Sequence, residues 1–288
     1  MPLIVNTNVS SLNAQRHLGV NTNALSKSME KLSSGFRINR AADDAAGLQL
    51  SETLRAQIRG SKKALDNVQD GVNVLNIVDG AYGQVTENLQ RMRELAVQAA
   101  NDTYATAQRS AMEAEIDQLM ADIDRIAEAT EFNGVKLMST SAPANFTIQL
   151  GANDVAAEDQ LNLATAGSAN PFATARASAL AATLTTALLN VDSAASALGA
   201  ISIIDNALTT VNSRRGAIGA LSNRLEGAAN NLSVSIENLS SSESRIRNVD
   251  VAMESANLTR NQILQQASAA MLSQANQTPQ LALQLLKG

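Results

Sequence analysis

The chain has 288 residues, 45% of them hydrophobic, a formal net charge of −5 and no cysteine. That length and apolar content can build a sizeable core, in one large domain or two modest ones, and the absence of thiols excludes disulfides, thiolate metal centres and cysteine nucleophiles. Aromatic residues make up only 2%, while Ala, Leu, Ser, Asn and Gln abound, a balance that favours long helices over a β-sandwich or a ligand pocket.

The charge is unevenly placed. Residues 1–44 carry five Lys/Arg against three Asp/Glu and residues 245–288 four against two, which leaves −9 for the middle and argues against nucleic acid as a partner. No run of about 18 apolar residues stands out, and the first residues lack a basic region, apolar core and cleavage site. Neither a membrane span nor a Sec-type signal is expected.

In chain order, the opening stretch is apolar, with Leu3, Ile4 and Val5. From Leu18, the positions Leu25, Met29 and Leu32 follow at gaps of 7, 4 and 3, a helical stripe that stops at Ser33-Ser34-Gly35, where Gly35 can serve as the C-terminal cap. In "FRINRAADDAAG", Asp43 can cap the next helix while Asp44 favours its positive dipole end.

The second stripe reads Leu54, Ile58, Leu65, Val68, Val72, Leu75, Tyr82, Val85, Leu89, Met92, Ala96, Ala99, and Gly71, Gly80 and Gly83 do not break it. At ~1.5 Å per residue, the roughly 55 residues from Asp44 to Ala99 make a rod of about 80 Å, so an elongated molecule is expected. A third helix shows Met112, Ile116, Leu119, Ile123 and Ile126, antiparallel to the second once "NDTYATAQ" turns the chain back.

"FNGVKL" and "FTIQLGAN" switch to short β-prone runs with Asn133-Gly134 and Gly151 as turn signals, which predicts a small β-hairpin subdomain. Residues 152–200 hold 17 alanines and a single basic residue, Arg176. They read as a short exposed insertion that grades into helix.

A fourth long helix is predicted from about Ala195 through Ile204, Leu208, Val211, Ile218, Leu221, Leu225 and Leu232. The final stripe, Leu239, Ile246, Val249, Met253, Ala256, Ile263, Ala267 and Met271, suits coiled-coil-like pairing with the N-terminal helix. The last stretch carries Leu281, Leu283, Leu285 and Leu286.

Burying those four leucines returns less free energy than ordering their eleven-residue segment costs. They also spread around a helix, so one intramolecular partner would leave some exposed. Sister chains are the nearest supply of further neighbours, and a heterologous contact that does not close on itself builds a helical filament.

No chemistry competes with that reading. His17, the single histidine, reads as an ordinary packing position, and Asp43-Asp44 and Asp122/Asp124 as helix caps rather than catalytic pairs. "RRGAIGALSNR" lacks the Gly-Lys-Ser/Thr of a phosphate loop. The eight methionines read as adaptable core fillers, and sequons such as Asn8-Val9-Ser10 and Asn231-Leu232-Ser233 fall in predicted helices. No enzyme, cofactor or metal is expected.

The stretches "EKLSSGFRINRAADDAAGLQLS", "LQRMRELAVQAAN", "EFNGVKL" and "SRIRNVDVAMESANLTRNQIL" together resemble bacterial flagellins, over about 1–150 and 195–288. The resemblance implies a mainly α, elongated antiparallel long-helix bundle or coiled coil with a small β-hairpin subdomain. Residues 1–44 with 245–288 would be terminal inner-tube helices, 45–150 with 195–244 a helical rod domain, and 151–194 a short variable surface insertion.

Subunit packing is then assigned to Leu3, Ile4, Val5, Leu18, Leu25, Met29, Leu32, Ile246, Val249, Met253, Ile263, Leu281, Leu283, Leu285 and Leu286. The partners implied are the chain itself as a helical homopolymer, an export chaperone, a cap protein and a hook-associated junction protein. Secretion by type III export without a cleaved signal is implied as well. Residues 30–51 resemble an epitope read by plant immune receptors, and Arg91, Leu95 and Gln98 with Glu115 a surface read by an animal Toll-like receptor. The alternatives are a hook–filament junction protein and a non-polymerising signalling or adaptor coiled coil.

Overall fold

A computed structural model describes residues 7–139, 146–155, 159–163 and 190–287, with side chains up to residue 277. The elements are α1 (Val9–Ser34), α2 (Ala45–Ala99), α3 (Thr106–Ala129), β1 (Glu131–Phe132), β2 (Val135–Lys136), β3 (Thr147–Gln149), β4 (Gln160–Asn162), α4 (Ala194–Arg247) and α5 (Val251–Lys287). The fold is mainly α, a long-helix bundle with small β ribbons, as the periodicities predict. Two compact units divide the chain, residues 1–56 with 238–288 and residues 57–237.

Local chemistry places the helix ends. Gly35 adopts a left-handed φ of 73° and its N–H donates to Lys31 O at 2.9 Å, closing α1 as expected. The cap of α2 falls one residue later than expected. Asp44 Oδ1 accepts from Gly47 N at 2.9 Å, whereas Asp43 Oδ2 closes the preceding turn by accepting from Asn39 N and Arg40 N.

In the unit of residues 57–237, α2 runs antiparallel to both α3 and α4. Arg91 pairs with Glu115, and Arg109 donates to Ala99 O, so the numbering rises on one helix as it falls on the other. Asp79–Arg215 and Arg93–Asp205 establish the same sense against α4. These ion pairs are exposed and screened by solvent, so they mark the helix sense more than they stabilise it. The core is apolar, centred on Leu75, Leu89, Met92, Ile116, Ile204, Leu221 and Leu225.

Two details of this core were hidden in the sequence. Gly71 is buried, and a Cβ there would lie 3.2 Å from Leu225 Cδ1 and 3.4 Å from Ile148 Cγ1, so the helix approaches its neighbours closely. Arg214 is buried beside Tyr82. Burial pushes the Tyr82 phenol up to about 12, against the charge and hydrogen bond of Arg214, which pull it down.

The β1–β2 hairpin turns through Asn133 (φ 50°) and Gly134 (φ 77°), both left-handed as a two-residue type I′ turn requires. A second ribbon pairs β3 with β4 in antiparallel register, Ile148 opposite Leu161. β4 lies inside the segment expected to be an exposed insertion, yet Leu161, Leu163 and Val191 are buried in the core. The alternation in "QLNL" is too short to stand out beside an alanine-rich stretch. Residues 164–189 of that segment lie outside the described residues.

In the other unit, α1 and α5 lie alongside each other. The final apolar stripe is not one helix: Leu239 and Ile246 end α4, Val249 lies in a break, and Met253 begins α5. Asp250 Oδ1 caps α5 by accepting from Ala252 N and Met253 N. The break is held by backbone pairing, with Arg37 N donating to Arg247 O at 2.6 Å and Val249 N to Gly35 O at 3.0 Å. Arg247 stacks 4.7 Å above the Phe36 ring and reaches Glu52 at 2.6 Å.

One 18-residue window of α4 reaches a mean hydropathy of 1.3, apolar enough to qualify by composition as a span that the sequence reading did not single out. Ala197, Ala200, Ile204, Ala207, Val211, Ile218, Leu221 and Leu225 of this helix face the core of the bundle.

Candidate assembly surface

The pairing of α1 with α5 is antiparallel and a ladder of polar contacts runs along its seam. Asn8 Nδ2 donates to Ala275 O at 2.7 Å, Asn21 Nδ2 to Ser268 Oγ at 2.7 Å, Gln265 Nε2 to Thr22 Oγ1 at 3.4 Å and Asn261 Nδ2 to Ser28 Oγ at 3.2 Å. Ser11 Oγ closes the series on Asn276 at 2.7 Å. On α1 the half-buried or buried positions Leu18, Asn21, Leu25, Ser28 and Leu32 alternate at gaps of three and four, a heptad in which every second knob is polar. The facing positions of α5 are Leu258, Asn261, Gln265, Ser268 and Leu272.

Polar groups in such a seam specify register more than they stabilise. Further apolar side chains lie outside the seam. Met253 is 63% exposed, Ile263 60% and Met271 65%, so the α5 stripe expected to face α1 instead turns to solvent. At 100° per residue its centre lies about a quarter turn or more from the hydrogen-bonded face. On α1, Val9, Leu12 and Val20 form a similar outward stripe, and Met29 is exposed beside the buried Ser28.

A groove of about 400 Å³ runs where α1 meets α5, lined by His17, Leu264, Ala267 and Met271 together with Ser10, Asn13, Ala14 and Ser268. His17 is thus at an exposed groove edge rather than in a core. Among the described residues, no three His, Asp or Glu side chains gather to hold a metal ion.

Of the residues predicted for packing, Leu18, Leu25, Leu32, Ile246 and Val249 are half-buried and Met29, Met253 and Ile263 exposed. Leu3, Ile4 and Val5 lie outside the described residues, and Leu281, Leu283, Leu285 and Leu286 fall on the helical backbone of α5, beyond the last described side chain. The sequence reading did not single out the exposed Val9, Leu12, Val20 and Leu264. Their signal was a second apolar face on helices already assigned one.

The four residues assigned to an immune-receptor surface do not share one environment. Arg91 donates to Glu115 Oε1 at 2.8 and 2.9 Å, a contact that raises the guanidinium's affinity for its proton, and Gln98 donates to the Tyr104 hydroxyl. Leu95 points inward and is buried in the core.

First and last helices that pair through hydrogen bonds while presenting apolar stripes outward define a self-associating, helical structural protein. The comparisons are specific. Residues 5–142 match the bacterial flagellin N-terminal helical region and residues 201–286 the bacterial flagellin C-terminal helical region. The chain is 43% identical over 285 residues to a flagellin of Halalkalibacterium halodurans, covering 99% of this chain and 100% of that one. It is 43% identical to a flagellin of Bacillus subtilis over 304 residues, 98% of this chain and 99% of the relative. A structure described as a flagellar hook-associated protein of Vibrio parahaemolyticus, 18% identical, superposes with a TM-score of 0.53 over 72% of this chain and 100% of that one, a likeness of fold.

This chain belongs to the bacterial flagellin family. It is a structural subunit of the extracellular filament of the bacterial flagellum.

Proposed function

We propose that the outward apolar stripes of α1 and α5 are the faces on which copies of this chain pack into the wall of the filament's inner tube. The carrying observation is the exposure of Met253, Ile263 and Met271 on a helix whose opposite flank is already satisfied by hydrogen bonds to α1. Apolar area left in water by one chain is removed from it by the next. A contact of one stripe on the other is heterologous, and where its rotation does not close it propagates as a helical filament.

In this reading residues 1–44 and 245–288 are the inner-tube helices, 45–150 with 195–244 the surrounding rod, and 151–194 the variable outer segment. Leu3, Ile4, Val5, Leu281, Leu283, Leu285 and Leu286 extend the packing surface at the two ends. The family resemblance supports type III export without a cleaved signal, a chaperone on the C-terminal segment, a cap protein at the growing tip and a hook-associated junction protein at the base. A chain without cysteine and with 2% aromatics suits passage in an unfolded state. Arg91, Gln98 and Glu115 would form the exposed part of a surface for a Toll-like receptor, and residues 30–51 the segment read by plant immune receptors.

The test is assembly of purified protein on filament seeds, followed by sedimentation and electron microscopy. Ile263→Asp and Met271→Asp leave helicity unchanged and abolish elongation. Normal filaments from both variants would remove the proposal's physical basis. A hook–filament junction protein would instead bind seeds at a finite stoichiometry without growing.

A further inference from the structure

A second surface in the unit of residues 1–56 and 238–288 differs in character from the apolar stripes. Lys27, Lys31 and Arg37 line a pocket of about 360 Å³ with Ile38, Ala42, Asp43 and Asp44. Lys27 and Lys31 stand four residues apart on α1, where like charges repel. Among the described residues, neither ammonium has an ion pair within 4 Å or a hydrogen bond.

Each carboxylate already in the pocket has one oxygen committed to backbone N–H groups. Asp43 Oδ2 accepts from the N–H groups of Asn39 and Arg40, which with the nearby lysines hold its carboxyl below the usual range. Asp44 Oδ1 caps Gly47. Arg37 directs Nε and one terminal nitrogen to Ile246 O and so is held in place while keeping further donors. The pocket therefore sets three cationic side chains against two carboxylates that each keep one oxygen free, an excess of positive charge.

Charge complementarity names the acceptor. The unit holding the pocket carries ten Lys/Arg against seven Asp/Glu, a balance of +3, whereas residues 57–237 carry twelve against twenty, a balance of −8. Each copy thus presents a basic unit and a strongly acidic one.

We infer that the Lys27–Lys31–Arg37 pocket docks an Asp or Glu side chain from the acidic unit, residues 57–237, of a second copy. The inference rests on self-assembly and adds a polar clamp to its apolar contact. Its contribution lies in orientation and in rejecting wrong registers, since charged contacts at an interface specify more than they bind.

Zero-length carbodiimide coupling on filaments grown from an equal mixture of 14N- and 15N-labelled full-length chain tests this directly. The expected products are amide crosslinks from Lys27 or Lys31 to an Asp or Glu within 57–237, with the two peptides carrying mixed isotopes in about half of the crosslinks. Crosslinks confined to one isotope, or only to Asp43 and Asp44, overturn the inference while leaving filament formation intact. Absence of filaments overturns the assembly reading itself.

A second measurement uses variants. Lys27→Glu/Lys31→Glu raises the critical concentration for elongation by roughly tenfold, with unchanged helicity, because attraction becomes like-charge repulsion. Lys27→Gln/Lys31→Gln flattens its dependence on NaCl. If the reversed variant assembles as the parent does, or if inorganic phosphate inhibits beyond its ionic strength and marks the pocket as a free-anion site, the carboxylate assignment is wrong.

Discussion

The side-chain amide of Asn21 donates to the hydroxyl of Ser268 at 2.7 Å across the middle of the α1–α5 seam, and also reaches Leu264 O at 3.3 Å. One polar side chain therefore ties two successive turns of α5 to α1. Its neighbours Thr22–Gln265 and Ser28–Asn261 continue the same ladder.

Asn21→Ala leaves Ser268 and a backbone carbonyl without their partner and destabilises the helix pair by about 1 kcal/mol. Amide hydrogen exchange in α1 and α5 accelerates roughly fivefold as a result. Replacing both partners with apolar residues, Asn21→Leu with Ser268→Ala, restores protection but lets the register slip. Unchanged exchange in Asn21→Ala would show the ladder to be ornamental.

Arg247 supports the break between α4 and α5 by stacking on Phe36 and pairing with Glu52, its side chain 13% exposed against 51% for Glu52. Arg247→Ala loses both contacts and costs about 1–2 kcal/mol. Arg247→Lys recovers the charge but not the planar stacking and falls between the two. Urea titration monitored by exchange of the Val249 amide distinguishes the three proteins.

Two glycines on the same helix give opposite outcomes. A Cβ at Gly71 meets Leu225 and Ile148 at 3.2 and 3.4 Å, whereas one at Gly80 meets nothing within 4 Å. Gly71→Val overpacks the core and destabilises by about 1–3 kcal/mol. Gly80→Ala removes backbone freedom from the unfolded chain and stabilises by about 0.5–1 kcal/mol. Thermal unfolding followed by circular dichroism reads both signs.

Tyr82 makes the fold sensitive to alkali. Its phenol is pushed from 10.0 up to about 12, first by burial and in opposition to Arg214. Below pH 10 it is protonated in folded and unfolded chains alike, and its contribution is complete. As pH rises from 10 towards 12 only the unfolded chain ionises, so about 2–3 kcal/mol is lost across that window. Tyr82→Phe abolishes this loss, measured as the difference between the two proteins' pH–stability curves; parallel curves would contradict it.

Much of the fold was legible because it is periodic. The stripe from Ile58 through Tyr82 to Ala99 predicts α2 and its buried face, and Gly35 predicts the end of α1. Breaks and exceptions were not legible. Asp250 starts α5 in the middle of an apolar stripe that runs on without interruption, and Leu161 and Leu163 enter the core from a segment too short and alanine-rich to show a pattern. Arg214 carries no signal of burial at all, because its environment comes from residues far away in the chain.

What the sequence determined unaided is the set of helices, the apolar stripe on each, and membership of a family, since all three are written in spacing and local motif. What only the tertiary structure decided is which face of α5 is covered; on α1 the expected Leu18, Leu25 and Leu32 are indeed in the seam. Periodicity defines a face relative to a helix axis but says nothing of what lies against it. The seam alternates leucines with Asn, Ser and Gln, and the hydrogen bonds of those polar residues have no hydrophobic period. The α5 stripe that looked like the seam of a pair is, for that reason, left exposed.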